Sequence, residues 1–351
     1  MKYRRQLAAL VIALAAVWFV PAQAAAVPPI TGTPVVDSPQ LLDWPCDIGN
    51  GEPDLTEATA NRLSDLHGQF TGCDMAVSTA GNYHMAFRDL WHDVFLPRYA
   101  SELNLKNWFF VTSPPIAKQQ IQNGKVVFGN LSLQCVPQIA VGPLKAINDL
   151  KAAGLTTGIA ISVFKNRGNV LLVKKGNPKH IKTVWDLGRP DVQVVTPNPL
   201  TEKNTFENYS GSIYDIALND ESNAPSGWNA DRLFNLIFNT TGPKEKWFVG
   251  SKIHHREVPW SIAYGKADTG VLFYHLALHA IQTFPDLFEI VPLGGTVEDP
   301  QPLPGNRIGA HYAIRIKGDW SATQDAAAGY FMDALSSEDF TDILERHGLQ
   351  R

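Results

Sequence analysis

The sequence predicts an α/β fold, and three observations carry that expectation. Short apolar stretches with strand character alternate with stretches of helical periodicity. Gly and Pro punctuate them, at 27 and 24 of 351 residues. A composition of 44% hydrophobic and 18% charged residues is too apolar and too weakly charged for a disordered chain. The length suits one large domain or two of ordinary size, either with a real core.

Residues 1–26 read as a secretory leader. Lys2, Arg4 and Arg5 form a basic start, Leu7 to Val20 is uninterruptedly apolar, and Ala22-Gln23-Ala24 places small residues at a cleavage site. The apolar run is shorter than the roughly 20 residues of a membrane span. Residues 27–71 form an N-terminal extension, rich in Pro and Thr over 27–42, with one short helix expected over 54–66. Export makes disulfides available to Cys46, Cys73 and Cys135, with the pairing left open.

The body then alternates. Residues 73–78 are strand-like and end at Ala80-Gly81-Asn82, and a helix follows with Met85, Phe87, Leu90 and Trp91 on related faces. Residues 107–112 make the next strand, running into Ser113-Pro114-Pro115. The prolines suit the turn and first turn of a helix that continues through Ile121 and stops at Gly124. Strands are expected at 138–141, 158–164, 169–174 and 192–196, with a short helix at 184–187. Helices follow at 210–217, 230–238 and 257–264, then a buried strand at 268–274. Strands at 287–291 and 308–316 precede two closing helices at 321–335 and 337–347.

Two turns share a design: Ser78-Thr79-Ala80-Gly81-Asn82 and Thr112-Ser113 each end a strand in small polar residues that open a helix. Helix starts carry unpaired N–H groups and positive partial charge, which suits an anion. Plain N-capping explains the same residues. The net charge of −4 argues against a nucleic-acid partner. Neither a G-x-S-x-G elbow nor a G-x-x-x-x-G-K-[ST] loop is present, so no assembled motif points to an enzyme.

Further motifs follow in order: Asn169 to Pro178 with Trp185-Asp186-Leu187, Thr196-Pro197-Asn198-Pro199, His254-His255-Arg256-Glu257, and Gly265 to Val271. Tyr330 to Ser337 and Ile343 to Gly348 close the series. Together, over roughly residues 72–351, they resemble the periplasmic solute-binding proteins of molybdate- and sulfate-type ABC transporters. The resemblance implies a two-lobed α/β periplasmic binding fold of type II. Each lobe would be a mixed sheet flanked by helices, joined by a hinge of crossing strands. Lobe 1 would take 72–168 and 287–351, and lobe 2 169–286. The chain would be a periplasmic monomer without cofactor, holding a small anionic or polar solute in the interlobe cleft and passing it to a membrane permease. A receptor feeding a membrane sensor is the alternative reading of the same fold.

The resemblance also implies site residues: Ser78, Thr79, Gly81, Asn82 and Ser113 from the two turns, and Asn198 after its strand. Ser210 and Gly211 would open a helix, His255 would offer a backbone amide, and Tyr274 or Phe273 would supply the cleft aromatic. Asn82 stands where molybdate binders carry serine. Its amide both donates and accepts, which favours a ligand with its own hydroxyl or amine. Arg256 can fork onto a carboxylate or oxyanion, or pair with Glu257 or Asp268. A metal held by His254 and His255, with Glu257 as third ligand, is a further alternative, although adjacent helical residues point apart.

Overall fold

In the computed structural model, residues 26–37, 65–68, 74–105, 108–113, 115–128, 131–133, 136–240, 246–251 and 253–351 are described. The leader apart from Ala26, the three cysteines and most of the helix expected over 54–66 lie outside them. Asp65 and Leu66 themselves begin a strand.

Two six-stranded sheets organise the chain, one in each lobe. The second lobe holds β1 (Val35–Val36), and the first holds β2 (Asp65–Gly68), β3 (Met75–Ser78) and β4 (Trp108–Ser113). A hairpin of β5 (Val126–Phe128) and β6 (Leu131–Leu133) stands apart. The first sheet continues with β7 (Ile139–Pro143) and β8 (Thr156–Lys165). The chain then crosses to β9 (Asn169–Lys174), β10 (Val194–Thr196), β11 (Trp247–Val249), β12 (Thr269–Phe273) and β13 (Phe288–Val291). It returns with β14 (Ala310–Ile316). The orders are β2-β4-β3-β7-β14-β8 and β1-β11-β10-β12-β9-β13.

Each sheet has a parallel block: β4, β3 and β7 in one, and β1, β11, β10 and β12, with β1 at the edge, in the other. The crossing strands enter antiparallel, β9 against β12 and β14 against β7. Strands covered on both faces read as continuous apolar runs, and β3, β10 and β12 are buried at every residue.

Helices cover the sheets. A 3₁₀ turn at Gly81–Tyr83 leads into α1 (His84–Asp89), a π-helical run over Leu90–Ala100 and α2 (Ser101–Leu103). Then come α3 (Lys118–Gln122), α4 (Leu144–Ala152), α5 (Lys203–Asn219), α6 (Ala230–Phe238), α7 (His254–Ala263), α8 (Tyr274–Thr283), α9 (Ala322–Ala334) and α10 (Glu338–Arg346). Phe87, Leu90 and Trp91 fill the first lobe's core, whereas Met85 on the same helix packs into the second lobe's core. None of the helices among the described residues is long and apolar enough to cross a membrane.

The structure moves several expected boundaries. α3 starts at Lys118, after extended Ala117, not at the prolines. Gly124 does end it, at φ 69°. β13 pairs with β9, so the return to the first lobe comes at β14 rather than at residue 287. The extension is not separate either: β1 pairs with β11, and β2 with β4. α4 and α8 were not anticipated. α4 buries only Ile147 and Leu150, and α8 starts directly where β12 ends, with no linker to mark it.

Buried Asn166 and Asn306 tie together the crossings after β8 and before β14. Asn166 Oδ1 accepts from the N–H groups of Gly168 (3.2 Å) and Gly309 (2.9 Å). Asn306 Oδ1 accepts from Asn169 N–H, and its Nδ2 donates to the Asn169 carbonyl, both at 2.8 Å. Gly168 sits at φ 79°, and a Cβ there would fall 3.0 Å from Asn306 Oδ1. Asn306→Ala strands both backbone groups of Asn169 in the interior. It should cost about 2 kcal/mol, read as a lowered urea midpoint.

Candidate functional site

In the first lobe, β3 and β4 are parallel with Ser78 in register with Val111, so the turns after them lie at one carboxyl end of the sheet. That is where ligands bind in open α/β sheets. Ser78 Oγ accepts from Ile116 N–H at 2.9 Å and ties the two turns together. Thr79 is fully buried and its Oγ1 has no partner. The Gly81 carbonyl lies 2.7 Å from His84 Nδ1. Asn82 is half-buried, and Ser113 is the last residue of β4.

The second lobe presents the matching ends of β10 and β11. Asn198 Nδ2 donates to the Gly250 carbonyl at 2.9 Å, and its Oδ1 accepts from Leu200 N–H at 2.9 Å. Thr196, Asn198, Glu202, Gly250, His254 and Glu257 line a small pocket there. Glu257 is pressed on the chain so closely that a Cβ at Gly250 would fall 1.6 Å from its Oε2.

A polar relay fixes the start of α7. Phe273 N–H donates to the Tyr209 hydroxyl at 3.1 Å. That leaves the Tyr209 O–H to donate to His254 Nε2, also at 3.1 Å. His254 Nδ1 then carries the ring proton and donates to Glu202 Oε1 at 2.7 Å, while Glu202 Oε2 accepts from His254 N–H at 3.0 Å. Glu202 thus caps α7 with a formal negative charge at the positive end of its dipole. Burial holds the Tyr209 phenol well above its ordinary pKa, so it stays a donor.

The lobes meet between these halves. His275 Nε2–H donates to the Asn82 carbonyl at 2.6 Å, and the rings of His84 and His255 stand 5.6 Å apart. His255 and Arg256 are both buried.

Three expected site residues fall elsewhere. Ser210 and Gly211 do not open a helix, because α5 begins at Lys203 and they lie in its middle. Ser210 Oγ donates to the Phe206 carbonyl one turn back, and Gly211 lies under the Arg307 guanidinium, 2.1 Å from a built Cβ. Tyr274 donates its hydroxyl to the Val297 carbonyl at 2.8 Å and packs on Gly348, at the crossings. Phe273 is buried where the lobes meet, stacked with His275 (5.6 Å) and Tyr83 (6.3 Å). Both ring nitrogens of His254 are engaged and its ring is nearly perpendicular to that of His255, so the pair does not chelate. Among the described residues, no group of three or more His, Cys, Asp or Glu is placed to hold a metal. Glu202, which lines the pocket, and His275, which bonds across the lobes, were not anticipated. Glu202 reads as an ordinary surface acid, and only its helix-capping geometry reveals it.

A family model described as bacterial extracellular solute-binding protein matches residues 138–350. The chain belongs to that family. This is a family of binding proteins rather than of enzymes. The solute-binding protein resembles several solved structures in fold. The binding protein AgtB of A. tumefaciens R10, in complex with agropinic acid, is 13% identical, covering 78% of this chain and 81% of that one at a TM-score of 0.50. The periplasmic molybdate-binding protein of Azotobacter vinelandii is 14% identical over 79% and 99%, at 0.48. Peb3 of Campylobacter jejuni is 17% identical over 79% and 99%, at 0.46. No curated protein sequence matches the chain.

Tyr209→Phe tests the relay. It leaves Phe273 N–H and His254 Nε2 without their shared partner and should lower stability by about 1–3 kcal/mol, measured by chemical unfolding.

Proposed function

We propose that this solute-binding protein captures a small polar solute in the cleft between its lobes and delivers it to the permease of an ABC-type importer. The solute carries an acidic group together with hydroxyl or amine donors. The chain reaches the periplasm through its N-terminal leader. Ser78, Thr79, Gly81, Asn82 and Ser113 contribute from the first lobe, and Asn198, His255 and Arg256 from the second. Binding stabilises the closed arrangement of the lobes about the crossings, and the permease reads that closed form.

The observation that carries the ligand class is Glu202 at the start of α7. The first amide of that helix is already given to a carboxylate. Glu257 lines the same pocket. A fully ionised oxyanion docked there meets two acids, whereas a hydroxyl or ammonium meets acceptors. The acidic end of the solute is suited by buried Arg256 and by the donors of the first-lobe turns, where Thr79 Oγ1 has no protein partner.

A thermal-shift panel at neutral pH separates the classes. Hydroxy- or amino-carboxylates at a hundredfold excess over Kd should raise Tm by on the order of 5 °C or more. Molybdate, tungstate, sulfate and phosphate should leave it within about 1 °C. Equal shifts from the oxyanions would overturn the ligand class, and no shift from any of them would overturn the acidic-solute reading. Asn82→Ala should weaken binding of the responding solute about tenfold by calorimetry, with an unchanged circular dichroism spectrum.

A further inference from the structure

One imidazole closes the lobe interface without belonging to either set of proposed ligand contacts. His275 stands in the first turn of α8 and is 1% exposed. Its hydrogen bond to the Asn82 carbonyl joins the second lobe to the 3₁₀ turn of the first. Its ring lies flat between Phe273 of its own lobe (5.6 Å, 13°) and Tyr83 of the other (4.7 Å, 19°). Tyr83 is itself held from its own side by Asn166 Nδ2 at 3.3 Å and by the rings of Phe164 and His311. Separating the lobes therefore removes both the hydrogen bond and one stacking face, and admits water to the ring.

We propose that His275 is a positioning residue that clasps the Asn82 turn across the lobe interface, and that protonating it opens the clasp and weakens solute capture. The effect on capture rests on the cleft reading above, while the effect on closure does not. His275 Nδ1 is buried with no partner, so a second ring proton would enter an aromatic stack that offers it no acceptor. The groups facing the ring give no relief. Tyr83 is a neutral phenol, Phe273 is apolar, and the neighbouring elements add the imidazoles of His84 from α1, His311 from β14 and His347 after α10. His347 is itself bonded to Asp89 at 2.7 Å.

Burial accordingly pushes His275 down to about 3 from an ordinary 6.5. The closed form favours the neutral ring, whereas the open form returns it to water. Closure is then fully supported above pH 6.5 and is lost as pH falls toward 3, with the closure constant dropping up to tenfold per unit. His311 is also pushed to about 3, yet it packs on Tyr83 and Phe164 of its own lobe and serves as the internal control.

Small-angle scattering of the full chain without added solute, from pH 7.5 to 4.5, tests the clasp, with circular dichroism confirming that the chain stays folded. The wild type should be compact at pH 7.5 and expand as the pH falls. His275→Gln keeps an N–H donor but cannot titrate, and should remain compact throughout. His311→Gln should follow the wild type. A wild type that stays compact to pH 4.5, or a His275→Gln profile that matches it, overturns the clasp. If His275→Gln does not fold, histidine-labelled wild type decides by NMR. The His275 ring signal should titrate together with the expansion, and titration near 6.5 with the lobes still closed overturns the proposal. With no solute present, failure of the clasp and failure of the cleft reading are distinguished: the Tm panel judges only the latter.

Discussion

Everything that positions the cleft depends on a small set of amide hydrogen bonds at the crossings. Two of the segments that pass between the lobes, after β8 and before β14, cannot pair as ordinary strands while changing sheets. Asn166 and Asn306 replace the missing ladder with side-chain amides that both donate and accept, and Asn169 meets the second of them through its backbone N–H and carbonyl. Asn166 also reaches Tyr83, so the scaffold that sets the angle between lobes touches the turn that faces the cleft.

The same economy governs the halves of the site. Parallel strands bring their carboxyl ends to one edge, and the helices that follow start there, so both lobes offer polar turns to a common space. The two halves differ in character. The first lobe's turns carry neutral hydroxyls and amides, while the pocket in the second is lined by two carboxylates, Glu202 and Glu257. Under the function proposed above, a solute that satisfies both halves is polar at each end.

The alternation of elements was legible in the residues because burial on both faces writes strands as apolar runs, as in β9 and β12. The turn from Ser78 to Asn82 was legible for the same reason, since small polar residues follow such a run at once. The second lobe was less readable. Ser210-Gly211 looks like a helix start, yet Phe206 and Tyr209 before it already point into the core and carry the helix further back. The relay joins residues 45 and 52 positions apart along the chain, and nothing local in Glu202 or Tyr209 announces the partner. His275 was hidden by α8 beginning directly at Tyr274, so that its face could not be assigned without the fold.

The two-residue strand β1 has a consequence for how the chain folds. Val35–Val36 pairs with Phe248–Val249, and Thr31 and Gly32 donate to Asn239 Oδ1 more than 200 positions later. A strand met early in the chain must wait, unpaired, until most of the second lobe exists. Its closure entropy falls due late, and the β11 edge stays a free template for other chains until then. Assembly of this lobe thus ends at the edge where the polypeptide began, and the aggregation hazard is concentrated in that interval.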